Sequence, residues 1–543
     1  MTDPHHLDVE DHQVFWADEV ADAIEARDPD DPVVLKGGVS PSGVPHIGHF
    51  NEIMRNYYVA EVLRERGHEV RQVFTSDDRD RLRKVPRTLA TLDWDLVDLG
   101  DDRVDAAVLG RNLGKPYTDI PDPFGCCDSY GDHFTTLLAT AADLVGVPIE
   151  IVSNTDMYEA GEFEAATRHV LERREHAREV LSEYQDKVDE SYVPFSPQCA
   201  ACGNLTEHVV AIDLAAGTVD YVCDDVEAGG QTIQGCGHEG TATLREGKLP
   251  WRFEWPAQWK VLGVDFEPFG KDHAEGSWPS GEDIARNVFG IDPPVPMVYE
   301  WFTLNGSALS SSSGNIVTVD EVLDLLEVEV FRYFFTKDPK KQRDFDVERL
   351  DLLVDEFDRF EALYFGEEAA ADYSRDLARR VYPFVVDAVR EDRVRIPYRF
   401  AAVLGMTDDA SLREQMARRS GHIPDDAPDW AVEEALARVE KARNWAVRTD
   451  NEYNYRLAEE LPDVAFDPAV GAALDDLADL VAAGTDDLQG QIYETAREHD
   501  VAVGDLFTAG YRLFLDETEG PRLGPFLASL DEQFVVERLR REA

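Results

Sequence analysis

Apolar positions follow two periods along the first half of this chain. Short apolar runs at Val33-Val34-Leu35, Val70-Arg71-Gln72-Val73-Phe74 and Val147-Pro148-Ile149-Glu150-Ile151-Val152 alternate with stretches whose apolar residues recur three and four apart. Runs of that length predict buried strands, and the intervening spacing predicts helical crossovers, so the pattern is that of an α/β protein with parallel strands. Helices are expected over residues 8–26 through Val14, Phe15, Val20 and Ile24, and from Phe50 through Ile53, Met54, Tyr57 and Val62 to a left-handed stop at Gly67. Further helices are expected over 131–145, closed by Gly146, and as one long charged helix over 158–184. Strands are expected again at 261–266 and 297–304, preceded by Trp251, Trp255 and Trp259, which are expected in the core. Beyond about residue 319 the strand period disappears. Helices are then expected at 347–364, 375–390, 430–447, 469–483, 488–499 and 504–515.

Composition refines this picture. A chain of 543 residues exceeds one ordinary domain, and 43% hydrophobic residues can fill several cores. The formal charge is −57, and the basic residues comprise 11 lysines against 42 arginines. So acidic a surface argues against a nucleic-acid partner in dilute salt. In ~1 M salt, however, the Debye length is only ~3 Å and the repulsion scarcely passes contact. A lysine-poor acidic surface is therefore read as salt adaptation, which leaves RNA binding open. No run of about eighteen apolar residues occurs, and Met1-Thr2-Asp3-Pro4-His5-His6 lacks a signal pattern, so a cytoplasmic protein without membrane association is expected.

Candidate chemistry gathers where strands end. After the first strand comes Ser40-Pro41-Ser42-Gly43-Val44-Pro45-His46-Ile47-Gly48-His49-Phe50, a turn that opens a helix with two histidines at its start. Free N–H groups and the positive end of the helix dipole are expected there, with Gly48 permitting close approach of a flat base. After the second strand, Thr75-Ser76-Asp77-Asp78-Arg79-Asp80 offers three carboxylates to an ammonium group, or a solvated acidic loop. Cys199, Cys202, Cys223 and Cys236 supply a Cys-Xaa-Xaa-Cys knuckle with two later soft ligands, the arrangement for tetrahedral zinc, with His238 competing with Cys236. Cys126 and Cys127 are adjacent and are read as packing residues. Glu267-Pro268-Phe269-Gly270-Lys271-Asp272-His273 follows another strand, and Asn305-Gly306-Ser307-Ala308-Leu309-Ser310-Ser311-Ser312-Ser313-Gly314-Asn315 follows the last one.

Taken in order, these segments resemble the class I lysyl-tRNA synthetases across essentially the whole chain. Pro45-His46-Ile47-Gly48-His49 resembles the family's HIGH signature and Gly38-Val39-Ser40-Pro41-Ser42-Gly43 its lysyl version, while the Leu309 to Ser312 segment is similar to KMSKS with Ala308 and Ser311 in place of its lysines. The resemblance implies a Rossmann-type doubly wound catalytic domain with a zinc-binding insertion, followed by an all-α anticodon-binding region. The expected boundaries are 1–190 and 251–330 for the catalytic halves, 191–250 for the insertion, 331–425 for a helical junction and 426–543 for the anticodon-binding part. It further implies ATP-dependent joining of L-lysine to tRNA(Lys), with Mg²⁺ beside ATP and structural Zn²⁺ on the four cysteines; the oligomeric state is not given by the sequence, a monomer being favoured. His46 and His49 would be catalytic. Pro41, Ser42, Gly43, Pro45, Gly48, Gly270, Asp272, Leu309, Ser310, Ser311 and Ser312 would join them in binding ATP. Gly38, Ser40, Asp78, Trp251, His273 and Tyr299 would receive lysine. The rival readings are a synthetase for another amino acid, glutamate being nearest, and a non-catalytic tRNA-binding relative.

Overall fold

The computed structural model describes residues 14–186, 188–309, 315–485 and 487–542. Two compact units emerge, Met1–Asp320 with Arg332–Phe345, and Glu321–Phe331 with Asp346–Ala543.

The first unit is built on a five-stranded parallel sheet. Its elements are α1 (Trp16–Glu25), β1 (Val33–Val39), α2 (Phe50–Glu65), β2 (Val70–Ser76), α3 (Tyr130–Leu144), β3 (Glu150–Ser153), α4 (Trp251–Leu262), β4 (Phe266–Gly270) and β5 (Val295–Tyr299). The spatial order is β5-β4-β1-β2-β3, every pairing parallel. The chain therefore runs outward from β1 through β2 to β3, then returns to lay β4 on the other side of β1. That reversal between β1 and β4 is a topological switch point, where such sheets leave a crevice beyond the carboxyl ends of their strands. β1 is buried on both faces at Val33, Val34 and Leu35, as a central parallel strand must be. Gly37 has no room for a side chain, since a Cβ there would lie 2.6 Å from the Phe74 ring and 2.9 Å from the Glu52 carboxyl.

Several expectations from periodicity are corrected. The strand expected at 261–266 is the end of α4 and a turn, with the strand itself at Phe266–Gly270. The tryptophans explain the error. Spaced four apart, Trp251, Trp255 and Trp259 stack at ring separations of 5.1 and 5.3 Å along one helical face, and Gly263 at φ 66° stops the helix. Trp255 and Trp259 are buried, whereas Trp251 is only partly so. The long helix expected over 158–184 is three, Asn154–Ala160, Glu164–Glu172 and Arg174–Ser182, with Gly161 in the left-handed region at the first break. The strand expected at 297–304 breaks at Glu300 and Trp301. Its second piece, Phe302–Leu304, leaves the main sheet to pair with Arg343–Phe345, a strand in the region where none was expected.

An insertion between β3 and α4 carries three antiparallel strands, His208–Asp213, Thr218–Val222 and Glu239–Thr243, with a small core of Phe195, Val219, Tyr221 and Leu244. In the second unit the helices expected from sequence occur at Leu350–Phe365, Asp372–Val385, Asp429–Thr449, Pro468–Ala482, Leu488–Glu498 and Val503–Leu515. Four shorter ones join them, Tyr398–Leu404, Ala410–Arg419, Leu523–Ser529 and Glu532–Leu539. Buried Arg438 ties this unit together, donating to Asp358 at 2.6 and 2.8 Å and to the Ile396 carbonyl at 2.9 Å. Among the described residues no helix is long and apolar enough to cross a membrane.

Candidate active site

The loop leaving β1 delivers His46 to the first turn ahead of α2, a short helical turn at Ile47–His49. His46 is extended at φ −136° and acts as the N-cap, its Nδ1 accepting the Gly48 N–H at 3.1 Å. His49 Nδ1 lies 3.1 Å from the His46 N–H, so each imidazole caps a backbone donor near the other in a reciprocal box. The rings sit 4.3 Å apart. A Cβ on Gly48 would lie 2.7 Å from the His46 ring, so the box requires glycine. Sequence suggested free N–H groups here, and the structure corrects this. Ile47 N–H donates to the Val317 carbonyl and His49 N–H to the His46 carbonyl, so the helix start is already satisfied. With Nδ1 accepting the Gly48 N–H, the network assigns the His46 proton to Nε2, which remains available as a donor, whereas His49 Nδ1 faces both the His46 N–H at 3.1 Å and the His46 carbonyl at 3.2 Å. Burial pushes both imidazoles below their ordinary value, His46 to about 2 with His49 adding to the effect, so the pair is neutral.

Beneath the crevice lies an ion pair that bridges the switch point. Lys36 on β1 and Glu267 on β4 meet at 2.7 Å with side-chain exposures of 1% and 4%, and Glu267 also accepts from Trp255 Nε1 at 2.9 Å and Trp259 Nε1 at 2.5 Å. Glu52, one turn beyond His49, completes the rim. Its carboxylate accepts the Gly38 N–H at 2.7 Å and the Tyr299 hydroxyl at 3.1 Å, joining the ends of β1 and β5. Burial, with Glu267 adding to it, pushes the Glu52 carboxyl up to about 8. Sequence reasoning overlooked Glu52, and it quoted Glu267 at the head of a candidate segment without giving it a role. The only local signal for Glu52 was a carboxylate on the buried side of the signature helix.

The acidic loop after β2 is not solvated. Asp77 accepts from Asn154 at 2.8 Å and Gln258 at 3.0 Å, and burial raises its carboxyl to about 7. Asp78 accepts the Thr155 N–H at 2.8 Å, while Asp80 pairs with Lys248, which also holds Glu254 at 2.6 Å. All three carboxylates thus have internal partners. Arg79 fastens this loop to the insertion through the carbonyls of Gly247 at 3.0 Å and Arg245 at 2.7 Å.

Two cavities flank these groups. Ser40, Pro41, Ser42, Gly43 and Pro45 line a small one with His49, and Tyr130 anchors that loop by donating to the Ser42 carbonyl at 2.9 Å. A cleft of about 590 Å³ opens toward the insertion, lined by Asp80, Arg81, Tyr192, Glu227, Lys248 and Trp251 among others. The sequence candidates therefore divide. Gly38 and Tyr299 meet through Glu52. His273 stands between Trp251 and Trp255 at ring separations of 6.4 and 5.6 Å, with Asp272 at 3.5 Å. Gly270 has Asp272 and Trp301 where a Cβ would lie, at 2.5 and 3.1 Å. Asp78 faces Thr155 beside β3, and Trp251 faces the larger cleft. Leu309 is partly buried just after the short strand Ser307–Ala308, and Ser310, Ser311 and Ser312 lie outside the described residues.

In the insertion, Cys199, Cys202, Cys223 and Cys236 converge, their Sγ atoms all within 4.8 Å of one another. Gly203 N–H closes a tight turn on the Cys199 carbonyl at 2.8 Å, and Gly237 N–H reaches across to the Cys223 carbonyl at 2.9 Å, both glycines at positive φ. The Cys199–Cys236 and Cys202–Cys223 sulfur separations are 3.6 and 3.7 Å. A zinc–sulfur bond of ~2.3 Å makes a tetrahedral edge of ~3.8 Å, so the donor set fits that ion. His238 is not part of this convergence.

A histidine-capped helix at the switch point of a doubly wound sheet, followed by a helical region, defines a class I synthetase fold. The sequence pattern described as tRNA synthetases class I (K) matches residues 14–385, and the chain belongs to that family. It is 70% identical over 542 residues to a lysine–tRNA ligase of Haloarcula marismortui, covering 99% of each chain, and 70% identical over 546 residues to that of Natronomonas pharaonis, covering all of both. The lysine–tRNA ligase of Pyrococcus horikoshii is 31% identical over 549 residues, covering 97% of this chain and all of its own.

Proposed function

We propose that this chain attaches L-lysine to tRNA(Lys) through a lysyl-adenylate, in the cytoplasm of a salt-adapted cell. The observation that carries the reading is the full-length likeness to lysine–tRNA ligases, joined to a signature helix whose two histidines are intact. In the first step the lysine carboxylate attacks the α-phosphate of ATP and pyrophosphate leaves. His46 and His49 donate Nε2–H groups to the phosphate oxygens as charge develops. As neutral donors fixed by their own helix, they need no reorganisation during the step. Because the backbone N–H groups of the turn are taken, the imidazoles carry the role usually shared with the helix end. In the second step the 2′-hydroxyl of the terminal tRNA adenosine receives the lysyl group.

Glu52, Tyr299 and Gly38 form the wall nearest the switch point and are assigned to the amino acid, with His273 and Trp251 on the other side. Gly270 and Asp272 are assigned to the ribose, and Leu309 with Ser310, Ser311 and Ser312 to the phosphates. Mg²⁺ bound with ATP would neutralise charge on pyrophosphate. Zinc on the four cysteines would hold the insertion in shape, and the helical second unit would read the tRNA.

ATP–pyrophosphate exchange and tRNA charging by the full chain in molar KCl, with lysine or glutamate and with or without tRNA, test the reading. Lysine alone should support both reactions. Charging with glutamate, or tRNA binding without charging, would replace it with one of the rival readings.

A further inference from the structure

Two neighbours on α2 grip two neighbours at the end of β5. Glu52 accepts the Tyr299 hydroxyl at 3.1 Å, and Asn51 donates through Nδ2 to the Glu300 carbonyl at 3.0 Å. β5 ends at Tyr299, and the Glu300 N–H turns to the Pro339 carbonyl at 2.8 Å, so both backbone groups of Glu300 are held from outside the main sheet. Arg55, one turn beyond Asn51, reaches both sides of this grip. Its Nε donates to Asn51 Oδ1 at 3.3 Å, and its Nη1 donates to the carbonyls of Phe335 and Lys337, the latter at 3.0 Å, just before Pro339. From this geometry we propose that Arg55 is a positioning residue for amino-acid binding: acting through Asn51, it fixes the end of β5 and with it the place of Tyr299. The inference rests on the reading of Tyr299 as part of the wall that receives lysine.

The chemistry of the guanidinium makes the arrangement specific. A primary amide can turn either its oxygen or its NH₂ toward a neighbour, and the neighbours of Asn51 are a carbonyl and a cation. Arg55 has donors only, so it claims the amide oxygen and turns Nδ2 toward Glu300. A buried cation is ordinarily matched by a carboxylate. Arg55 is 6% exposed and has no such partner among the described residues; carbonyls and the face of Trp16, 5.0 Å from the guanidinium carbon, stand in for one. Apolar residues often replace a buried charge without loss of stability, so the cation here is explained by the partners it places rather than by cohesion.

The stretch that Arg55 leans on is itself fixed. Tyr58, in the next turn of α2, donates to the Arg332 carbonyl at 2.8 Å, and Trp16 Nε1 donates to the Thr336 carbonyl at 2.9 Å. Residues 332–337 are thereby a firm seat, and Arg55 sets the distance from that seat to Asn51. A lysine at this position keeps the charge but lacks the planar fork, and its single ammonium cannot serve both sides in the same geometry.

Lysine-dependent ATP–pyrophosphate exchange in molar KCl, with tRNA present, tests the proposal on Arg55→Lys and Asn51→Asp in the full chain, with thermal unfolding measured beside it. Asn51→Asp separates the two roles most sharply. Its carboxylate pairs with Arg55 at least as well as the amide does, yet it cannot donate to Glu300, so cohesion is kept while positioning is lost. The expected result is a lysine KM raised about tenfold in both variants, with the ATP KM and the unfolding temperature little changed. A folded variant with the parental lysine KM would overturn the proposal. So would kinetic constants that change only in step with the unfolding temperature, or failure of both variants to fold, because Arg55 would then belong to the scaffold alone. Exchange by the unaltered chain that does not depend on lysine would overturn the lysine reading and this inference together, whereas a lysine-dependent parent with unchanged variants overturns this inference alone.

Discussion

The crevice at the switch point and the four-cysteine cluster hold their polar groups in opposite ways. In the crevice each buried group named above has a protein partner: Lys36 has Glu267, Glu267 has two indole N–H groups, Glu52 has Gly38 and Tyr299, and each histidine caps the other's turn. In the cluster, the thiols of Cys199 with Cys236 and Cys202 with Cys223 face one another as weak sulfur contacts, supported by a few backbone N–H groups, over a core of a few side chains. A site that satisfies itself is preformed and stands without ligand. One made of mutually facing thiols depends on an ion to hold its shape.

The strongest way to break the comparison is to strip the zinc proposed for the four cysteines. Structural zinc contributes roughly 10–16 kcal/mol in small peptides, so chelation should melt the insertion locally while the parallel sheet keeps its protection. Hydrogen exchange before and after chelation reads this directly, and equal loss of protection in both regions would erase the distinction.

The converse experiment attacks the crevice floor. Glu267→Gln leaves the Lys36 ammonium buried without a carboxylate, which should lower stability by about 3–5 kcal/mol, and Lys36→Met with Glu267→Met should recover much of it. Thermal unfolding at fixed KCl measures both. A near-neutral Glu267→Gln would show that water reaches the floor.

Histidine replacement has a smaller energetic effect but bears on chemistry. His46→Asn or His49→Asn should lower lysine-dependent pyrophosphate exchange on the order of 10²–10³-fold with the folded state retained. A drop confined to KM would move the pair from the reacting phosphate to binding.

The smallest effect is one of pH. The Glu52 carboxyl titrates near 8 in the folded chain against an ordinary 4.5, so the folded state binds the extra proton between those values. Stability should therefore fall as pH rises from about 4.5 to about 8 and level off above, and Glu52→Gln should flatten that part of the profile. A variant with the same slope as the parent would place the proton elsewhere.

What could be read from residue order follows the same division. The cysteine quartet, the signature turn and most long helices are written in local spacing and stood out. The crevice floor was not legible, because Lys36 and Glu267 are brought together by the β1 and β4 pairing, in which Leu35 sits opposite Phe266. Glu52 was hidden by ordinary composition in an acidic chain. The tryptophan helix was misjudged at its end because Val261 and Leu262 read equally as strand, and Gly263 decides the matter only once its positive φ is known. Cys126 and Cys127, expected as packing residues, are exposed and partly buried and converge with Asp122 and His133, which adjacency in the sequence does not show.

The most direct test of the account is where an adenylate sits. A crystal structure of the full chain with a non-hydrolysable lysyl-adenylate analogue should show its phosphate mimic within hydrogen-bonding distance of the Nε2 atoms of His46 and His49, with the lysyl group against Glu52 and Tyr299. Occupancy confined to the cleft lined by Arg81, Tyr192 and Glu227, with both imidazoles untouched, would contradict it.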